Sequence, residues 1–157
     1  WWKKIGRLRY DRMRVLCDGF LPLGDDWTIA ATQGYECPES PWWEPGMQTN
    51  FAAAVARLDT TLALATRSRP NTRILLMIHY PPRWDAARTP TAFESVLARY
   101  PVELVVYGHI HADDLRFAHN GTLDVAGRAI RFENASADRV LFKPLQILHL
   151  EVASMTF

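Results

Sequence analysis

The sequence predicts an α/β domain, and three observations carry that reading. Residues 73–78 and 102–107 are short, nearly continuous apolar runs, the pattern of strands buried on both faces of a sheet. Between them lies a short helical stretch with a start signal, giving strand, helix, strand. Residues 48–68 repeat their apolar positions at steps of three and four. Parallel strands need a crossover of this kind, so the two runs are expected side by side and parallel. A chain of 157 residues, 48% hydrophobic and 22% charged, suits one domain that buries its core without disulfides.

Taken in order, the chain opens with a basic stretch. Lys3, Lys4, Arg7, Arg9, Arg12 and Arg14 face a single acid, Asp11, over residues 1–16, with Trp1, Ile5, Leu8 and Met13 at helical spacing. This is either a phosphate-attracting patch or the solvated face of an amphipathic helix. Leu23-Gly24-Asp25-Asp26 reads as a turn and residues 26–35 as a strand. Pro38, Pro41 and Pro45 make 36–46 a loop, in which Trp42 and Trp43 either wall a cleft or anchor the loop on the core. The helix over 48–68 turns Phe51, Val55, Leu58, Leu62 and Ala65 inward, and Pro70 forbids its continuation.

The helix at about 91–99 starts with Thr91 and Glu94 in capping-box spacing, or with Thr89 as cap and Pro90 in the first turn. After residue 111 the pattern becomes short strands and turns. Asn120-Gly121 predicts a hairpin. Residues 128–133 and 139–150 predict strands, with Pro144 at an edge or bulge. The expected architecture is thus a βαβ unit with C-terminal antiparallel strands.

Composition removes several function classes. Lys and Arg number 18 against 17 Asp and Glu, so no bulk field attracts nucleic acid or an anionic membrane. The longest apolar run, Phe51 to Ala56, is far too short to span a bilayer. No segment reads as a signal peptide. Cys17 and Cys37 form no CxxC pair, which predicts free thiols in a reducing, cytoplasmic setting. There is no GxSxG, Walker loop or GxGxxG.

The chemistry lies in the histidines. His79 ends the first apolar run, and His109 and His111 follow the second. Ligands of open α/β sheets bind outside the carboxyl ends of the strands, so the three imidazoles are expected on one sheet edge, where they suit a transition-metal ion. Gly108 is placed to turn the chain just before the pair. His119 and His149 lack such a context and read as structural or solvated.

Ile78-His-Tyr-Pro-Pro82, Tyr107-Gly-His-Ile-His111 and Ser136-Ala-Asp-Arg-Val-Leu-Phe-Lys-Pro144 resemble segments of the calcineurin-like metallophosphoesterases, in a bacterial branch of that family. The resemblance implies a two-sheet sandwich flanked by helices. It also implies two divalent or transition ions, Mn, Fe or Zn, and a phosphate mono- or diester substrate. By the same resemblance His79 and His109 bind one ion and His111 the other. In a complete enzyme of that kind two such ions would supply a hydroxide nucleophile for in-line attack on phosphorus.

The family's opening motifs, D-x-H, GD-x-x-D and GNH[DE], have no counterpart here; Gly24-Asp25 belongs to a hydrophilic turn. The chain opens on Trp1-Trp2, and the expectation is one domain, 1–157, equivalent to the C-terminal half of a family domain. Alternatives are a non-catalytic metal-binding or regulatory module of the same fold, and an interaction domain with incidental histidines. Asp113 and Asp114 are either partners behind the histidines or solvated loop acids, and Arg83, Trp84, Trp42 and Trp43 flank the site in sequence. Substrate identity and oligomeric state stay open.

Overall fold

The computed structural model describes residues 14–84 and 90–150. The expected basic helix over 1–16 lies almost entirely outside these residues. Six strands form one mixed sheet: β1 (Gly19–Leu23), β2 (Trp27–Thr32), β3 (Arg73–Ile78), β4 (Val102–Tyr107), β5 (Gly121–Val125) and β6 (Arg128–Asn134). Among the described residues two α-helices, α1 (Gln48–Ser68) and α2 (Ala92–Leu97), accompany the sheet with two short 3-10 turns, Pro45–Met47 and Ala112–Phe117.

The sheet order is β1-β2-β3-β4-β6-β5. β2, β3, β4 and β6 run parallel, and each edge is closed by an antiparallel strand, β1 on β2 and β5 on β6. The expected parallel pairing of the two apolar runs is present, with Ile78 opposite Tyr107 at their carboxyl ends. All four parallel strands therefore end on one edge, at Thr32, Ile78, Tyr107 and Asn134.

Both helices cover the same face. Phe51, Ala54, Leu58, Leu62 and Ala65 of α1 and Phe93, Val96 and Leu97 of α2 pack on Ile74, Leu76, Ile78, Val105, Ile130 and Phe132. Helix α2 starts with the full capping box. The Thr91 hydroxyl oxygen accepts from the Glu94 amide at 3.1 Å, and the Glu94 carboxylate accepts from the Thr91 amide at 2.8 Å. At the C-terminus of α1, Arg69 leaves the helix and donates to the Trp27, Gly24 and Asp25 carbonyls at 2.7, 2.9 and 3.0 Å. A residue outside the apolar stripe of the helix thus ties α1 to the β1–β2 turn.

Two C-terminal expectations are corrected. The hairpin turn is Ala126-Gly127, not Asn120-Gly121. Both residues have positive φ, 53° and 80°, the signature of a tight two-residue turn. Asn120 instead uses its side-chain oxygen to accept the Asn134 amide at 2.9 Å. Residues 139–150 form no strand. Leu141 and Phe142 sit at φ 53° and 56°, which breaks extended pairing, and 144–150 then run as irregular chain over the second sheet face. There Ile147, Leu148 and Leu150 pack on Trp27, Leu75 and Leu104. The antiparallel C-terminal pairing that does occur is β5 with β6 alone.

Candidate metal centre

The edge where the parallel strands end is built by backbone pairing that continues past the sheet. His79 and Tyr80 donate their amides to the Gln33 carbonyl at 3.1 and 3.2 Å, and Gly108 donates to the His79 carbonyl at 3.1 Å. The segments after β2, β3 and β4 are thus stitched side by side. Gly34 is needed for this approach. It has φ 72°, and a Cβ there would stand 2.8 Å from Ile78 Cγ1.

His109 itself makes the sharp turn expected at Gly108. Its φ is 71°, and the Ile110 amide closes back on the Gly108 carbonyl at 2.9 Å. A non-glycine residue in this conformation costs about 1–3 kcal/mol. The turn brings the His109 ring onto His79 and Tyr80. His109 Nδ1 lies 3.2 Å from His79 Nε2, and the Tyr80 ring stacks on His109 with centroids 4.2 Å apart. Burial holds the His79 imidazole below its ordinary titration range, and the neighbouring His109 and His111 push the same way. His79 is therefore neutral at pH 7, the form that coordinates.

His111 shares the edge but not the pair. It is exposed, and its Nδ1–H donates to Asp138 Oδ1 at 2.9 Å. Asp138 also accepts the Ala112 amide through Oδ2 at 2.6 Å. That backbone bond and His111 hold its carboxyl below the usual range. The carboxylate behind His111 is thus Asp138, from the turn after β6, and not Asp113 or Asp114.

One further carboxylate escapes sequence reading altogether. Glu36 follows β2 and is buried, with a side chain 8% exposed and Oε2 3.5 Å from His109 Nε2. Its Oε1 has no hydrogen-bond partner. Only the register of β2 against β3 and β4 brings it here, and no motif spacing signals that.

The flanking residues have structural partners. Arg83 is buried and pairs with Glu94 at 3.1 Å. Trp42 packs edge-on to Trp84 and Trp43 edge-on to Phe51, with centroids 5.0 and 5.6 Å apart, so the pair anchors its loop. The His119 ring packs against Phe132, and its carbonyl accepts from the Tyr107 hydroxyl. Cys37 is buried and Cys17 exposed, both free.

As a donor set, His79 and His109 fit part of an ion's shell. Two nitrogens on one ion, each at about 2.0–2.1 Å, stand roughly 3 Å apart, which matches their 3.2 Å separation. Among the described residues no three His, Cys, Asp or Glu side chains are gathered to hold an ion together. Two of the three expected ligands meet and the third stands apart on the same edge. No helix among the described residues is long and apolar enough to cross a membrane. Comparison with family models, curated proteins and solved structures returns no match.

Proposed function

We propose that this chain carries the histidine side of a binuclear metal centre of the metallophosphoesterase type, acting on phosphate esters. The observation that carries the reading is the shared edge of four parallel strands. It sets His79 and His109 at 3.2 Å with His111 two residues further on. In this reading the sheet is one layer of the family's two-sheet sandwich, and 1–157 is part of a larger domain.

His79 and His109 would hold one ion and His111 the other, Mn, Fe or Zn by donor type. Such a pair of ions supplies a nucleophile at neutral pH and neutralises phosphoryl charge. The strained turn at His109 fixes the angle between its ring and His79. Tyr80 covers the His109 ring and limits water on that side. Asp138 holds the proton on His111 Nδ1 and leaves Nε2 to coordinate.

The chain offers no carboxylate motif to bridge two ions. Alone it is expected to bind Zn2+ or Mn2+ weakly and to hydrolyse an aryl phosphate ester poorly or not at all. Joined to a segment bearing D-x-H, GD-x-x-D and GNH[DE] motifs it is expected to gain hydrolysis, which His109→Ala then abolishes. Calorimetric titration with Zn2+ tests the first step. No heat in the parent chain, or the same heat in His79→Ala and His109→Ala, would sink the reading.

A second reading is a non-catalytic metal-binding module of the same fold. The absence of a third gathered donor among the described residues favours it. Zn2+ binding with no hydrolysis in the joined chain would select it.

A further inference from the structure

We propose that Thr91 and Glu94, the two residues that cap α2, are also positioning residues for the candidate metal centre. They clamp Pro82 and Arg83, and through the stiff Pro81-Pro82 pair they hold Tyr80 against the His109 ring. The proposal rests on the metal-centre reading above for its effect on an ion; the clamp itself concerns only where Tyr80 sits.

The capping box leaves each of its side chains with one group to spare. The Thr91 oxygen accepts the Glu94 amide at 3.1 Å, and Glu94 Oε2 accepts the Thr91 amide at 2.8 Å. Neither bond uses the Thr91 hydroxyl hydrogen or the second carboxylate oxygen. Both of these go to the segment that follows His79. The Thr91 hydroxyl donates to the Pro82 carbonyl at 2.7 Å, and Glu94 Oε1 faces Arg83 Nη1 at 3.1 Å. The second contact is an ion pair without the alignment of a hydrogen bond, since Oε1 has no hydrogen-bond partner.

This is more than the start of a short helix requires. Thr91, Arg83 and Glu94 are all buried, Glu94 to 1% exposure. A buried ion pair adds little over apolar side chains of the same size, yet losing one partner is costly. What the pair supplies here is a fixed point for the loop after β3.

From that fixed point to the site the chain is stiff. Residues 81–84 are all buried. The rings of Pro81 and Pro82 lock φ near about −65°, and Tyr80, which precedes a proline, is confined to extended backbone. At the other end the His79 and Tyr80 amides both donate to the Gln33 carbonyl. Tyr80 is therefore held between the continuation of β2 and the start of α2. Its ring lies 4.2 Å from that of His109 and 5.3 Å from that of His79, centroid to centroid. These are the two imidazoles whose nitrogens stand 3.2 Å apart. The clamp thus acts on both of them through Tyr80.

The test is proton NMR of the full metal-free chain at neutral pH, followed by calorimetric titration with Zn2+ alone. In the parent chain the His109 ring protons are expected to be shifted upfield by the Tyr80 ring and to show direct cross-relaxation with it. Thr91→Val is expected to remove both signals of contact and to weaken Zn2+ binding about tenfold, the low end of what partners outside the ligand shell contribute. Thr91→Ser keeps the hydroxyl and should restore both. Arg83→Met breaks the ion pair from the other side, gives the same result, and serves if Thr91→Val does not fold. Arg128→Met is the control for stability alone: Arg128 donates to the Ala98, Tyr100 and Val102 carbonyls at the far end of α2, so its loss should lower the urea midpoint and leave the His109 signals in place. The proposal is overturned if the parent shows no Tyr80–His109 contact, or if Thr91→Val and Arg83→Met keep it. It is equally overturned if Arg128→Met moves the ring as far, or if Thr91→Val binds Zn2+ as tightly as the parent. If the ring signals respond as stated but the parent binds no Zn2+, the metal reading fails and the clamp on Tyr80 stands.

Discussion

His119 shows how a single half-buried ring links the fold to pH. Burial lowers its titration range, Arg83 nearby lowers it further, and a hydrogen bond to the Gly121 backbone only partly opposes them. Its Nε2 has no partner. The folded state therefore binds this proton less readily than the unfolded chain, in which the ring titrates near 6.5. Stability from this group is complete above that value and is lost as pH falls below it, since the unfolded state then binds more protons. His79 acts in the same direction. We expect the urea midpoint of the metal-free chain to drop between pH 7 and pH 5, and the slope to flatten in His119→Gln. An unchanged slope in that variant would assign the acid sensitivity elsewhere. At this scale the sequence was only partly readable. The histidines of the edge stand out because each follows an apolar strand. Glu36 and Asp138 do not, because a carboxylate in a loop looks solvated until neighbouring strand ends place it against an imidazole.

Among the elements, those with strong local signals appear where the pattern puts them. Helix α1 spans 48–68 as its periodicity predicts, and β3 and β4 coincide with the apolar runs. The strand expected over 26–35 forms as Trp27–Thr32, and the helix expected over 91–99 as Ala92–Leu97. Strand β1 has no clear signal, since Pro22 lies within Gly19–Leu23; an edge strand tolerates a residue that cannot donate. The apolar residues of 139–150 have strand-like content, but Ile147, Leu148 and Leu150 pack half-buried on the sheet face without pairing, and Leu141, Phe142 and Leu145 stay exposed. Arg69 was equally silent, since a cation after a helix usually faces water. Its bonds to three carbonyls predict that Arg69→Met destabilises the chain by about 1.5–3 kcal/mol, read as a lower urea midpoint at unchanged slope. A loss within about 0.5 kcal/mol, the usual range for surface changes, would show that water replaces those bonds at no net cost.

Over the whole molecule the two sheet faces are unequal. The helices bury one face. On the other, among the described residues, 147–150 cover the amino-terminal part and leave an open groove of about 330 Å3 near the site edge, lined by Ala31, Met77, Val106 and His79. Met77 is 47% exposed near the carboxyl end of the parallel strand β3, where both faces are normally covered. An apolar surface of this kind binds apolar dyes and promotes association. We expect dye fluorescence with the native chain at neutral pH, and a clear fall in Met77→Glu with folding stability changed by no more than about 0.5 kcal/mol. Equal fluorescence in both proteins would place the dye on another surface.

The chain that crosses the second face also bears on the order of events during folding. Only β1–β2 and β5–β6 are joined by short turns, and the parallel pairs close loops of intermediate length around the helices. The packing of Leu148 near Trp27 joins nearly opposite ends of the described chain, and closing so long a loop is rewarded only once the sheet exists. This crossing should be missing from the folding transition state. Leu148→Ala is then expected to speed unfolding and leave the refolding rate unchanged, in stopped-flow measurements across a denaturant series. Slower refolding would mean that the far end of the chain helps to nucleate the sheet.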